Sequence, residues 1–324
     1  MVSKRAPIGY VARLKRESAF NQGCLAVVPD PAVLRSDFLT WALSVRGNEL
    51  NVLGRGTTFM ELSAGDLASA VFQLPSLDQQ RAIADYLDRE TAKIDALIEQ
   101  QERLIATLRE RSSAFREHQL LSRTAARKTT ARRAFTKVSR PAVSGLEVIT
   151  AYRDGRVTHR SNRRDDGYTM SDLEHGYQEI RPGEIVFHAL DGFAGAVGVS
   201  DSHGNATPVY HVCTPTQGDD PEFLALYLRQ LGTCGLLSTL APNVRQRSVD
   251  FRNWSTFGRI PLELPEPQVQ RDAVRAIKAS ERRIDELIQT AERFIELSRE
   301  RRAALITAAV TGQIEVGAAW AAKH

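Results

Sequence analysis

Residues 74–115 read LPSLDQQRAIADYLDRETAKIDALIEQQERLIATLRERSSAF, and residues 264–305 read LPEPQVQRDAVRAIKASERRIDELIQTAERFIELSRERRAAL. The two stretches align without a gap at an offset of 190 residues, and 15 of the 42 aligned positions are identical. Chance identity from ordinary composition is roughly one position in fifteen. The stretch is therefore duplicated, and the duplication sets the organisation of the chain.

Each copy has the pattern of a long helix. A Leu-Pro pair opens it, and neither Gly nor Pro interrupts it after the opening turn. Apolar residues follow at heptad-like spacing: Leu87, Ile94, Leu97, Ile98, Leu104, Ile105 and Leu108 in the first copy, and Ile277, Ile284, Leu287, Ile288, Phe294, Ile295 and Leu305 in the second. We expect helices over 78–122 and 268–311, packed on each other as an antiparallel coiled coil. If Leu287 lies in the seam, Leu287→Asp should destabilise the pair by a few kcal/mol.

The segments before the two helices differ in character from the helices. Residues 125–263 contain β-like runs between turn residues, including LEVITAY, GEIVFHAL and GAVGVSD, followed by the helical pattern DPEFLALYLRQL. The N-terminal segment has a shorter relative of this ending, GCLAVVPD and then SDFLTWAL. The order is partial β-rich domain, long helix, full β-rich domain, long helix, which predicts an α+β fold.

Composition limits the class of protein. The 324 residues, 42% hydrophobic and 25% charged, are enough for two domains with cores of their own. The net charge of +4 and a pI near 9.0 are compatible with a polyanionic partner. Three scattered cysteines predict neither a disulfide framework nor a zinc site. There is no signal-peptide pattern and no apolar run of membrane-spanning length, so we expect a cytoplasmic protein.

The chain resembles the specificity subunits of Type I restriction–modification enzymes. The resemblance rests on LPSLDQQRAIADYLDRETAKIDALI with the trailing QERLIATLRERS, on RRAALITAAVTGQIEV at 301–316, and on the run from EVITAYRDG to PVYHV within 147–212. It implies β-rich target-recognition domains alternating with two long helices. The implied segments are a partial first recognition domain at 1–73, helices at 74–124 and 264–316, a second recognition domain at 125–263, and a tail at 317–324. The family usually has a complete first domain, and here only 73 residues precede Leu74.

The resemblance also implies a function. Such a subunit reads a bipartite target in double-stranded DNA for two modification (methyltransferase) subunits and for restriction (nuclease/translocase) subunits. It is not itself an enzyme and has no cofactor. The sequence agrees, since it has no phosphate-loop motif and no G-x-G-x-x-G motif. The alternative is a coiled-coil scaffold whose β-rich domains bind protein, and salt-sensitive binding of duplex DNA would separate the two.

Two smaller patterns in the second β-rich segment favour a structural role over phosphate or metal binding. Gly192, Gly195 and Gly198 lack a following helix that would present N–H groups to a phosphate, so we interpret them as turns and close strand contacts. His188, His203 and His211 have spacings that match no metal-ligand signature, and we expect no metal site.

The candidate DNA-binding residues lie where positive charge is concentrated. Residues 122–164 contain twelve Lys or Arg and two acidic residues, a local net charge of +10. We interpret residues up to Arg140 as the helix exit and a connector, either DNA-binding or a solvated linker. The candidates for DNA contact are Arg153, Arg156, Arg160, Asn162, Arg163 and Arg164, with Asn243, Arg245, Gln246 and Arg247 as a second group that should lie on the same face.

Overall fold

The computed structural model describes residues 1–54, 60–71, 73–122, 124–163, 176–240 and 250–316, and the backbone of 244–245 and 248–249. The chain divides into a first unit, Met1–Thr107 with Leu287–His324, and a second unit, Leu108–Glu286. The helices are α1 (Ser36–Ser44), α2 (Gly47–Leu53), α3 (Ala64–Ala68), α4 (Leu77–Leu121), α5 (Ala131–Ala134), α6 (Pro221–Thr233), α7 (Leu236–Leu240), α8 (Trp254–Phe257) and α9 (Pro267–Val310). The strands are β1 (Val2–Ser3), β2 (Cys24–Leu25), β3 (Arg127–Thr130), β4 (Phe135–Val138), β5 (Ile149–Ala151), β6 (Val157–His159), β7 (Gln178–Ile180), β8 (Ile185–His188), β9 (Val197–Val199), β10 (Gly204–Ala206), β11 (Tyr210–Pro215), β12 (Val244–Arg245), β13 (Ser248–Val249) and β14 (Pro261–Leu264).

The two duplicated stretches form the long helices α4 and α9, each beginning and ending one residue before the predicted position. At the start of α4, Ser76 and Gln79 form a capping box: the Gln79 N–H donates to Ser76 Oγ, and the Ser76 N–H donates to Gln79 Oε1. The second helix instead begins at Pro267, a residue suited to the first helical position because its missing N–H would have no partner there.

Within the first unit the two helices run antiparallel. Arg302 Nε lies 2.9 Å from Asp95 Oδ1, and Arg299 Nη2 lies 3.2 Å from Glu102 Oε1, so numbers rise along α4 as they fall along α9. Next along the two helices after the charged pairs, Ile105 packs against Ala291 and Ile295. The α+β class with a long antiparallel helix pair is confirmed.

The predicted seam of this pair was partly wrong. Leu287 is 53% exposed, so Leu287→Asp would bury no charge and the expected destabilisation does not follow. Leu97, Leu104 and Phe294 are also at least 40% exposed, whereas Ala291 is buried. The apolar stripe in the sequence is wider than the contact between the two helices. The contact lies on the side of the stripe where the small side chain of Ala291 allows the helices to approach closely.

In the rest of the first unit, the described residues form three short helices and one pair of strands. The strands β1 and β2 form a two-stranded antiparallel sheet, with Val2 opposite Leu25. Phe38 of α1 packs on Leu87 of α4 and Ile306 of α9 in one core, while Leu39 and Leu43 of α1 join Val2, Ile8, Leu50 and Leu62 in another. The predicted parallel between GCLAVVPD and GAVGVSD is therefore limited, because β2 lies in a two-stranded pair and β9 in a larger sheet.

The second unit is built on a four-stranded antiparallel sheet in the order β4-β11-β8-β9. Successive side chains of a strand point to opposite faces. Ile185 and Phe187 of β8 therefore enter the core formed with α6, and Val186 enters the core on the other face with Ile149 and Val157. Both faces of the sheet are covered.

The basic stretch after α4 is part of the β structure of this unit. Residues 127–138 form β3, α5 and β4, and β3 pairs with β14 just before α9 begins. Arg127 binds Asp219, and Arg140 binds Glu184 and Glu179. The interpretation of this stretch as a solvated linker is wrong, because its backbone completes two sheets and these arginines have carboxylate partners.

A buried glutamine joins each long helix to the start of an earlier helix in the same unit, α1 for α4 and α6 for α9. Gln80 Oε1 accepts from the N–H of Arg35, the residue before α1, at 2.8 Å, and its Nε2 donates to the carbonyls of Val33 and Pro75. Both this residue and its duplicate, 190 positions later, are fully buried.

The duplicate makes an equivalent set of contacts in the second unit, with a carboxylate in place of one backbone carbonyl. Gln270 Oε1 accepts from the N–H of Asp220, the N-cap of α6, at 2.9 Å. Its Nε2 donates to Pro265 O at 2.8 Å and to Asp219 Oδ1 at 2.7 Å. We call each set the glutamine joint. Its recurrence shows that the duplicated helix carries its attachment to the preceding domain with it.

Candidate nucleic-acid interface

Five of the predicted DNA-binding residues lie on or directly after one hairpin of the second unit. Strands β5 and β6 pair antiparallel, with Thr150 opposite Thr158, and the turn between them contains Arg153 and Arg156. The turn is closed by the Tyr152 N–H, which donates to Arg156 O at 2.8 Å. Arg160 and Asn162 follow in a single 3-10 turn.

Glycines hold the turn of this hairpin against the sheet. Gly155 has φ +91°, and its carbonyl oxygen would lie 2.0 Å from a Cβ at Gly198 of β9. A Cβ at Gly195, which has φ +95°, would lie 2.7 Å from Arg153 O. Only residues without a side chain fit at these positions. The interpretation of the glycine series as close strand packing, rather than a phosphate cradle, agrees with these contacts.

Two of the predicted arginines are held by carboxylates. Arg153 Nη2 lies 3.0 Å from Asp191 Oδ1, with the arginine side chain 68% exposed. Arg163 binds Asp154, and its guanidinium lies over the Tyr152 ring at 4.5 Å from the centroid. Burial alone would raise the pKa of Asp154, but hydrogen bonds from Arg163 and the Arg156 N–H hold it below its ordinary value. These two arginines are partly neutralised and fixed in orientation.

The other three predicted residues of the hairpin differ in whether their side chains are free to bind DNA. Arg156 is exposed and has no ion pair among the residues that the structure describes. The Arg160 N–H donates to Val148 O, which fixes its backbone, and its side chain is half-buried. Asn162 Nδ2 donates to Thr158 Oγ1 at 2.7 Å, so one amide hydrogen is already used. Arg156 is the freest hydrogen-bond donor of this set.

The second predicted group falls largely outside the described residues. Arg164, Asn243, Gln246 and Arg247 lie there, and only the backbone of Arg245, in β12, is described. That the two groups share a face stays a prediction.

The residues that flank the two groups do approach each other. The Phe251 N–H, two residues after β13, donates to Ala189 O at 2.9 Å, and Asp191, two residues after Ala189, binds Arg153. Asp191 could not be predicted as the partner of Arg153, because 38 positions separate the two residues.

The histidines considered as metal ligands have other partners. His188 Nδ1 accepts from the backbone N–H groups of Leu190 and Asp191, and burial lowers its pKa. His203 Nε2 contacts Glu179 Oε1, and His211 Nε2 contacts Phe251 O. In the described part of the chain, no three or more His, Cys, Asp or Glu side chains form a group that could hold a metal ion. Across the same residues, no helix is both long and apolar enough to cross a membrane.

The chain is similar to a family model and to a curated protein of known kind. Residues 1–106 match the family model described as Type I restriction modification DNA specificity domain. A curated relative, the Type I restriction enzyme MjaIX specificity subunit of Methanocaldococcus jannaschii, is 33% identical over 89 residues, 27% of this chain and 20% of that protein. The match thus spans about a fifth of the relative's length. The resemblance to this family that the sequence indicated is confirmed.

Two solved structures share the fold. One is the HsdS subunit from Thermoanaerobacter tengcongensis, with a TM-score of 0.54 and 14% identity, covering 87% of this chain and 71% of that one. The other comes from work on complex assembly and conformational transition of the type I R-M system, with a TM-score of 0.58 and 14% identity, covering 87% and 72%. At this identity the likeness concerns the fold.

Proposed function

We propose that this chain is a DNA-recognition subunit that directs partner methyltransferase and nuclease/translocase subunits to a bipartite target site. The observation that carries the proposal is the repeated plan, in which a domain is fixed to a long helix by the glutamine joint, once through Gln80 and once through Gln270. Two attached domains suit a target of two short sequences at a fixed separation, and a repeated plan suits two copies of a partner subunit. The family match over residues 1–106 supports this reading over a protein-binding scaffold.

Recognition is assigned to the domains before the helices, over 1–73 and 125–263. In the second of these, we assign direct contact with DNA to the β5–β6 hairpin and to the residues around β12 and β13. An exposed arginine such as Arg156 can bind a phosphate or donate two hydrogen bonds to guanine. Most contacts in such interfaces are to the backbone, so the hairpin arginines would chiefly position the duplex.

The chain is assigned no catalytic step of its own. Methylation and cleavage would come from the partner subunits, which would act on DNA in the cytoplasm. The long helices offer surface for such partners, since Leu97 and Leu104 of α4 and Phe294 and Leu297 of α9 are all at least 40% exposed. Large apolar side chains in that number on one helix pair are typical of protein contact.

The test is reconstitution with modification subunits of a Type I system from the same genome. The complex is incubated with genomic DNA and a methyl donor, and methylated adenines are mapped. We expect methylation confined to one bipartite sequence and none with the modification subunits alone. Methylation without the chain, or duplex binding by the complex that is unaffected by salt and sequence, would instead favour the scaffold alternative.

A further inference from the structure

A groove of about 440 Å³ lies within the second unit, beside the β5–β6 hairpin. Its walls are the hairpin turn at Gly155 and Arg156, strand β9, helix α6 around Arg229, and the first turns of α9 around Lys278. It opens next to the exposed arginines described above, but its deepest cation, Arg229, was not among the residues predicted from the sequence.

Most charged groups around this groove neutralise one another. Arg163 binds Asp154, and Lys278 binds Glu222. Glu281 accepts from Arg116 Nε at 3.0 Å. Outside these pairs, the charged residues that line the groove are the cations Arg156 and Arg229 and the carboxylate Asp201.

Arg229 has no such partner among the described residues. Its Nε is fully buried and makes no hydrogen bond there. A Cβ at Gly155 would lie 2.9 Å from Arg229 Cδ, and a Cβ at Gly195 would lie 3.5 Å from its Nε, so the stem of the arginine is enclosed between two glycines. Burial and the nearby Arg116 lower the pKa of the guanidinium, and the charges of Asp154 and Glu281 offset this effect only in part.

A half-buried cation without a carboxylate in direct contact is costly, and a bound anion would reduce that cost. Arg156, the freest arginine of the hairpin, lines the same groove. Guanidinium groups suit phosphate oxygens because their N–H groups form a planar fork. We propose that Arg229 and Arg156 bind one phosphodiester of the DNA backbone in this groove. This inference rests on the proposed function and assigns it a specific phosphate contact.

The assembled complex allows a direct test through the salt dependence of duplex binding. Loss of one phosphate contact reduces the slope of log K against log salt by about one unit. We expect that reduction in Arg229→Gln and in Arg156→Gln. Because both residues bind the same phosphate, the double variant should lose about one unit as well, rather than about two.

Two further variants separate the contact from general effects. Arg229→Lys keeps the charge without the planar fork, so it should retain part of the slope. Arg275→Gln removes a 73% exposed arginine of α9 that is paired with Asp272 and lies outside the groove, and it should leave the slope unchanged. Thermal unfolding of each variant identifies any that fail to fold. Unchanged slopes in folded Arg229→Gln and Arg156→Gln would overturn the proposal.

Calorimetry with inorganic phosphate and pyrophosphate distinguishes a phosphate of the DNA backbone from that of a small phosphorylated ligand. For a backbone site we expect only weak, millimolar binding to the complex, reduced in Arg229→Gln. Micromolar pyrophosphate binding that depends on Arg229, with an unchanged DNA slope, would assign the groove to a small phosphorylated ligand and overturn the DNA contact. A wild-type complex that binds no duplex refutes the proposed function itself, which is a different result from variants that bind like wild type.

Discussion

At the scale of single residues, arginines close together in sequence have different surroundings. Arg153 and Arg163 are held by Asp191 and Asp154, whereas Arg156 has no carboxylate partner in the described part of the chain. The run of charge predicted a basic hairpin, but not which charges are free. Pairing depends on residues that the fold brings together from distant positions, and Arg229, 73 positions after Arg156, belongs to no basic run at all.

Gly198→Ala tests the close packing that fixes this hairpin. The new methyl would lie 2.0 Å from Gly155 O, so the hairpin must move or the sheet must open. We expect a loss of about 1–3 kcal/mol in the free energy of unfolding, measured with urea, and weaker DNA binding by the assembled complex.

Gly47→Ala is the matched control. No atom lies within 4 Å of a Cβ at this position in α2, so the free energy of unfolding should stay within about 1 kcal/mol of wild type. Equal losses in the two variants would mean that the contact between Gly198 and Gly155 does not hold the hairpin in place.

At the scale of elements, periodicity predicted both long helices to within one residue at each end. It did not predict which apolar residues meet. Large side chains such as Leu287 score highly in a heptad pattern, yet the contact is made by Ala291 with Ile105 and Ile295. Nor did it predict the glutamine joint, because a polar residue within an amphipathic helix is usually solvent-exposed. The only signal was that Gln80 recurs as Gln270.

Gln270→Ala should destabilise the second unit. The Asp220 N–H and Pro265 O would both lose their partner, and a buried polar group without one costs about 1–3 kcal/mol. The expected loss is about 2–4 kcal/mol by urea unfolding. The control is Gln268→Ala, two residues earlier on the same helix, where the side chain is exposed and bonds only to other surface groups. A loss in Gln268→Ala as large as in Gln270→Ala would contradict the role given to the joint.

At the scale of the whole molecule, the duplication predicted two domains, each followed by a long helix, and that division stays a prediction; the compact units of the structure are Met1–Thr107 with Leu287–His324, and Leu108–Glu286. What the sequence did not predict is how unequal the two units are. The second unit has a four-stranded sheet covered on both faces, and the described part of the first unit has only the pair β1 and β2. The regular spacing of apolar residues predicts a helix from local sequence. A sheet depends on pairings such as β4 with β11, which join residues more than 70 positions apart.

The exposed apolar residues on the long helices lead to a prediction about assembly. Leu297→Glu should leave the fold intact, because this side chain is 47% exposed, but should reduce co-purification with the modification subunit. Ile295→Glu, two residues away and 6% exposed, should instead cost on the order of 3 kcal/mol by burying a charge. If Leu297→Glu co-purifies as well as wild type, this part of α9 does not contact the partner.

The glutamine joint has a consequence for how such a chain can change over evolutionary time. Five of its six hydrogen bonds go to backbone atoms, those of Val33, Arg35, Pro75, Asp220 and Pro265, and only the bond to Asp219 involves another side chain. Backbone N–H and C=O groups are present whatever the residue type. The joint itself therefore places almost no demand on the residue types of the domain that it holds. If the proposed function holds, domains of unrelated sequence could be exchanged at the Leu-Pro positions, and the chain would then read a new target with the same helices.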